Sequence, residues 1–99
     1  MDFRVSVLLA AQRALWDLVT PNLRGVAVLI APSRVQARFL FENEPSELDH
    51  ENVSEAETEL MADLPIGVDV VAVAEAIPQA RPRELNAGEE WLYLRQERA

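Results

Sequence analysis

Leu23-Arg-Gly-Val-Ala-Val-Leu-Ile-Ala31, Pro32-Ser33 and Arg34-Val-Gln-Ala-Arg-Phe-Leu-Phe-Glu42 together decide the fold. Two runs rich in β-branched and aromatic residues, parted by a two-residue break, read as a β-hairpin. In the second run Val35, Ala37, Phe39 and Phe41 alternate with Arg34, Gln36, Arg38 and Leu40. The alternation predicts one face on a core and a partly charged face towards water. Val26 to Ile30 is apolar on both faces, which predicts a central strand.

Upstream, residues 2 to 19 space Val5, Leu8, Leu9, Gln12, Leu15, Trp16 and Val19 by threes and fours, the period of a helix with one apolar face. Thr20-Pro21-Asn22 ends it, because proline lacks a backbone donor and drives Thr20 out of helical conformation. Downstream, Ser46 with Asp49 three residues on has the spacing of a capping box opening a second helix, which Pro65 and Gly67 close. The valine-rich stretch from Val68 to Ile77 reads as a buried strand. Residues 78 to 88, with two prolines and Asn-Ala-Gly, read as an exposed loop. Glu90 to Arg95 is the last strand, with Trp91, Tyr93 and Arg95 on one face and Leu92 and Leu94 on the other.

The order is α-β-β-α-β-β in one domain spanning residues 1 to 99. Such a set buries its apolar faces as an α+β two-layer sandwich, a mainly antiparallel four-stranded sheet with two helices on one face. Moving the first strand of a ferredoxin-like unit to the end gives the same order, and that topology is the expectation.

Composition bounds the function. The chain has 99 residues, 49% apolar and 26% charged, which suits a single packed core. Without cysteine it has neither disulfide nor thiolate chemistry. The apolar run from Val5 to Ala11 is too short and too poorly flanked for a secretory leader, and no window approaches a membrane span. A cytoplasmic protein is expected. Three dispersed glycines make neither a phosphate loop nor a dinucleotide fingerprint. His50 has no nucleophile in a recognisable motif beside it, and a regular helix cannot wrap carboxylates around one ion. No cofactor and no metal are implied. Arg81-Pro-Arg83 is too small a basic patch for nucleic acid.

The charge distribution is uneven. Between Arg38 and Arg81 there is no basic residue, yet this stretch holds eleven of the seventeen acids, nine of them from Glu42 to Asp63. On the second helix Val53, Ala56, Leu60 and Leu64 form the apolar stripe, while Glu47, Glu51, Glu55, Glu59 and Asp63 repeat every fourth residue on an outward face. Like charges at this spacing weaken a helix by about 0.2–0.5 kcal/mol per pair. A solvated face that keeps the protein soluble is one explanation. A basic partner that neutralises the row is the other.

The segments Ala11-Gln-Arg-Ala-Leu15, Val19-Thr-Pro-Asn-Leu-Arg24, Ser46-Glu, Ser54-Glu-Ala-Glu-Thr-Glu-Leu60, Ala62-Asp-Leu-Pro65 and Tyr93-Leu-Arg95 resemble small bacterial immunity proteins of polymorphic or contact-dependent growth inhibition toxin systems. The hairpin and the Val68 to Ile77 strand are more apolar than that pattern. The resemblance implies a non-enzymatic protein that binds a cognate, basic toxin domain and neutralises it by stoichiometric inhibition. The residues expected to make the contact are Glu44, Glu47, Glu51, Glu55 and Glu59, flanked by Glu42 and Asp49. The competing reading is a small-ligand-binding or regulatory α+β module, paired as a homodimer through its apolar strands. That reading requires a concave, mainly apolar pocket.

Overall fold

In a computed structural model, which describes residues 2–97, the predicted hairpin forms. Helix α1 (Phe3–Ala14) precedes strands β1 (Leu23–Ala31) and β2 (Arg34–Phe41), which pair antiparallel with Ala31 opposite Arg34. Helix α2 (Glu47–Asp63), β3 (Asp69–Ala76) and β4 (Glu90–Leu94) complete the α-β-β-α-β-β order. The strand order is β3-β2-β1-β4, so β1 is central as its two apolar faces require.

The sheet is mixed, because β3 runs parallel to β2 with Arg34 opposite Asp69 and Phe41 opposite Ala76. The cause is length. The 17 residues of α2 span about 26 Å, and the eight residues of β2 span about 26 Å as well. One helix therefore returns the chain to the start of β2, and a parallel neighbour follows. Since β4 lies at an edge beyond β1, the permuted ferredoxin-like topology is not the one adopted; it would place the last strand inside the sheet. The stretch expected as buried strand is the opposite edge, and within β3 only Val70 is buried.

Both helices cover the sheet face that carries Val26, Val28, Val35, Ala37 and Phe39. Helix α1 starts where the Asp2 carboxylate accepts a hydrogen bond from the Val5 N–H at 2.8 Å. It buries Val7, Ala10, Ala11 and Ala14, a stripe rotated from the expected one, and leaves Leu9 and Gln12 outside. Small alanines let α1 approach α2, whose Ala56 lines the same narrow space. Along α2 the expected stripe of Val53, Ala56, Leu60 and Leu64 is buried. The room left between helices and sheet is about 10 Å³, roughly one water molecule at most.

The opposite sheet face is not open to water. Arg38 and Leu40 are 5% and 1% exposed, because residues 77 to 89 cross this face as a cover. Two bulges adjust the sheet beneath it. One inserts Arg24 between Leu23, opposite Phe41, and Gly25, opposite Leu40. The other inserts Leu92 between the partners of Ala27 and Val26, so strict alternation in β4 fails. Trp91 and Leu94, expected on different faces, both lie against Gly25. A Cβ on Gly25 would sit 3.3 Å from the Trp91 ring and 3.2 Å from the Tyr93 carbonyl oxygen, which makes glycine the fitting residue.

Candidate functional site

The expected acidic residues divide by what they touch. Asp49 is turned inward and only 4% exposed. Its oxygens accept hydrogen bonds from Thr20 Oγ1 at 3.1 Å, Asn22 Nδ2 at 3.0 Å and the Ser46 N–H at 3.0 Å, while its own N–H donates to Ser46 Oγ. The predicted capping box is thus present, and it also clamps the α1–β1 junction onto α2. Burial opposes the Asp49 charge, but the bonds from Ser46, Asn22 and Thr20 outweigh it and hold the carboxyl below its ordinary range. Glu42 is half-buried and bound by Arg95 Nη2 at 2.8 Å.

Glu44, Glu47, Glu51, Glu55 and Glu59 are exposed, and none makes an ion pair among the described residues. On α2 they do not form a straight ladder. Each residue advances about 100°, so every fourth position gains about 40° and the row winds diagonally across the helix. It ends beside α1, where Asp63 Oδ2 lies 3.4 Å from Arg13 Nη2. Glu57, outside the row, faces the β3 edge and accepts the Ala72 N–H at 2.8 Å. That bond covers an outward-pointing donor of an edge strand.

Three links fix how the α1 exit lies along α2: Arg13 with Asp63, Asn52 Nδ2 to the Leu18 carbonyl at 3.3 Å, and Thr20 with Asp49. The α1 exit therefore runs antiparallel to α2. Asp17 adopts a left-handed conformation, φ 66°, in the turn that follows α1. Leu15 and Leu18 are buried by this turn, whereas Trp16 and Val19 face solvent at 71% and 45% exposure. Helical spacing had placed both on the apolar stripe. The stripe that α1 buries, Val7, Ala10, Ala11 and Ala14, is rotated so that Trp16 falls about 180° from Val7 around the helix axis, and helical spacing alone does not announce that choice. Leu48 on α2 is likewise 56% exposed.

Four of the arginines, Arg24, Arg38, Arg83 and Arg95, are engaged away from this row. Arg24, 2% exposed, binds Glu97 with two parallel bonds of 2.8 and 2.9 Å and donates to the carbonyls of Ile77, Pro78 and Arg81. Arg95 and Arg83 also reach Glu97, at 2.8 and 3.4 Å. Bonding from Arg24 above all, with Arg95 adding to it, overcomes desolvation and holds the Glu97 carboxyl at about 2. Arg38 grips Glu89 in the same forked way at 3.0 and 2.7 Å and also meets Glu75 at 3.2 Å. Its bonds hold the Glu89 carboxyl below the ordinary range against the cost of burial. These contacts serve the cover over the far sheet face.

A family model described as MafI2 immunity protein matches residues 4–97. The chain belongs to this family. No match is found among curated proteins. The match takes in α1 through β4 and reaches Glu97, so the clasp around Arg24 lies within the MafI2 region. The resemblance to immunity proteins of polymorphic toxin systems, drawn from the helix junctions and the acidic segment, is met at the level of the family. In this MafI2 chain no group of three or more His, Asp or Glu among the described residues is placed to hold a metal ion. No described helix is long and apolar enough to cross a membrane. Among the described residues the space between its layers is about 10 Å³, no room for an apolar ligand, and an open concavity of about 650 Å³ is lined by Thr20, Asn22, Glu42, Glu44 and Leu48 among others.

Proposed function

We propose that this chain neutralises a cognate, basic toxin domain inside the producing cell by forming a stoichiometric complex with it, through binding and not catalysis. The observation that carries the reading is the separation of charge: Glu47, Glu51, Glu55 and Glu59 on α2 stand exposed without an ion pair among the described residues, while Arg24, Arg38 and Arg83 are engaged with the cover of the far sheet face. A one-sided negative field speeds encounter with a cationic protein and repels nucleic acid. Family membership supplies the class of partner. Glu44, Glu47, Glu51, Glu55 and Glu59 are the residues proposed to meet it, with Glu42 at the flank and Asp49 fixing the turn that presents them. The narrow space between the layers weighs against the small-ligand reading.

The test is the association rate with a basic toxin domain that pull-down on this chain recovers in equimolar amount. Reversing Glu51 and Glu55 to Lys slows association by roughly tenfold at low salt and flattens its salt dependence. An unchanged low-salt rate would remove the electrostatic half of the proposal.

A further inference from the structure

Trp16, Val19 and Leu48 are large apolar side chains left in solvent along the seam where the α1 exit runs antiparallel to α2. The Asn52–Leu18 and Thr20–Asp49 links hold Val19 alongside the turn that carries Leu48. Nothing in the fold requires a tryptophan at position 16, since Leu15 and Leu18 already fill the core there. Soluble proteins do not keep such patches without cause, and tryptophan is the residue most enriched among those that dominate binding energy.

The surroundings state what covers the patch. Leu48, Asn52, Glu55 and Glu59 follow one flank of α2 at spacings of four, three and four, so two unpaired acids continue the line from Leu48. Asp17 stands next to Trp16, and Glu44 lines the same concavity as Leu48. An apolar centre with an anionic margin fits an apolar pocket with a cationic margin. A second copy of this chain would bring acids against acids.

Resting on the immunity reading, we infer that Trp16 is the apolar anchor of the toxin interface, inserted into a pocket that the toxin rims with Arg or Lys, with Val19 and Leu48 continuing the contact along the seam between the α1 exit and α2. The acids then govern how fast the complex forms, and Trp16 governs how long it lasts. Because Trp16 is exposed, its truncation leaves the fold intact.

Affinity and both rates are measured for the full chain and its Trp16→Ala and Leu48→Ala variants with the same toxin domain recovered by pull-down. Thermal unfolding of each variant alone checks the fold. The expected result is an affinity loss of about 30-fold or more for Trp16→Ala, almost wholly in dissociation, and a smaller loss for Leu48→Ala. Fluorotryptophan labelling adds a direct readout: the Trp16 fluorine signal moves on complex formation, and the Trp91 signal stays. Wild-type binding that Trp16→Ala leaves within about twofold overturns the anchor but keeps the immunity reading. No binding by the wild-type chain overturns both. A dimer of the chain alone that Trp16→Ala dissolves gives the patch to a second copy and overturns the proposal as well.

Discussion

Two sets of carboxylates in this molecule are treated in opposite ways. Glu89 and Glu97 are half-buried and held by forked arginines, so their charges are consumed inside the fold. Glu47, Glu51, Glu55 and Glu59 lie on α2 with no counter-charge among the described residues, so theirs are left to act outside it. The difference teaches that a net charge of −8 is not a property of the whole surface. Pairing on one side turns a moderate excess of acid into a concentrated field on the other.

The comparison breaks most severely at Arg24. Replacing Arg24 by Ala removes the forked partner of Glu97, which keeps only Arg95 and Arg83, and takes a donor from the carbonyls of Ile77, Pro78 and Arg81, at an expected cost of about 3 kcal/mol. Urea unfolding is expected to show that loss.

Acid provides the next test. The Glu97 carboxyl sits at about 2 in the fold against 4.5 as its ordinary value, so on acidification the unfolded chain binds the proton first. Its contribution is complete above pH 4.5 and drains away as the pH falls towards 2. In a pH series of urea titrations, Glu97→Gln is less stable than wild type at neutral pH, and its stability falls less steeply across that window. A parallel slope for the two proteins would show that Glu97 is not held as described.

The smallest effect has the opposite sign and belongs to α2. Glu55→Gln relieves repulsion with Glu51 and Glu59, and two such pairs are worth about 0.4–1 kcal/mol of added stability at low salt. Raising the salt concentration should erase the gain. A destabilised variant would mean that Glu55 has a structural partner.

Much of the fold was legible because it follows from local rules. The hairpin rests on two β-rich runs and a two-residue break, and α2 on a capping box and a clean apolar stripe. The acid row could be read directly, since residue type and spacing alone define it. What could not be read depends on distant partners. Arg38 looks solvent-facing until residues 77 to 89 are known to lie over it, and Arg24 finds its carboxylate 73 positions away. The parallel β3 follows from matched lengths of α2 and β2, a relation between elements. Trp16 was misplaced because α1 turns its alanines to the core, where they pack beside Ala56 of α2, and that rotation of the stripe carries position 16 outward.

The Arg24–Glu97 clasp also has a consequence in time. On the ribosome β1 emerges early, yet the carboxylate that neutralises Arg24 is made 73 residues later, a delay of roughly 4–15 s at cellular rates of synthesis. Until then an unpaired guanidinium resists burial, and the far face of the sheet cannot close. The hairpin and helices are free to assemble during that interval, but the cover waits for residue 97. Maturation of this chain is therefore gated by translation of its C-terminal strand and the few residues beyond it.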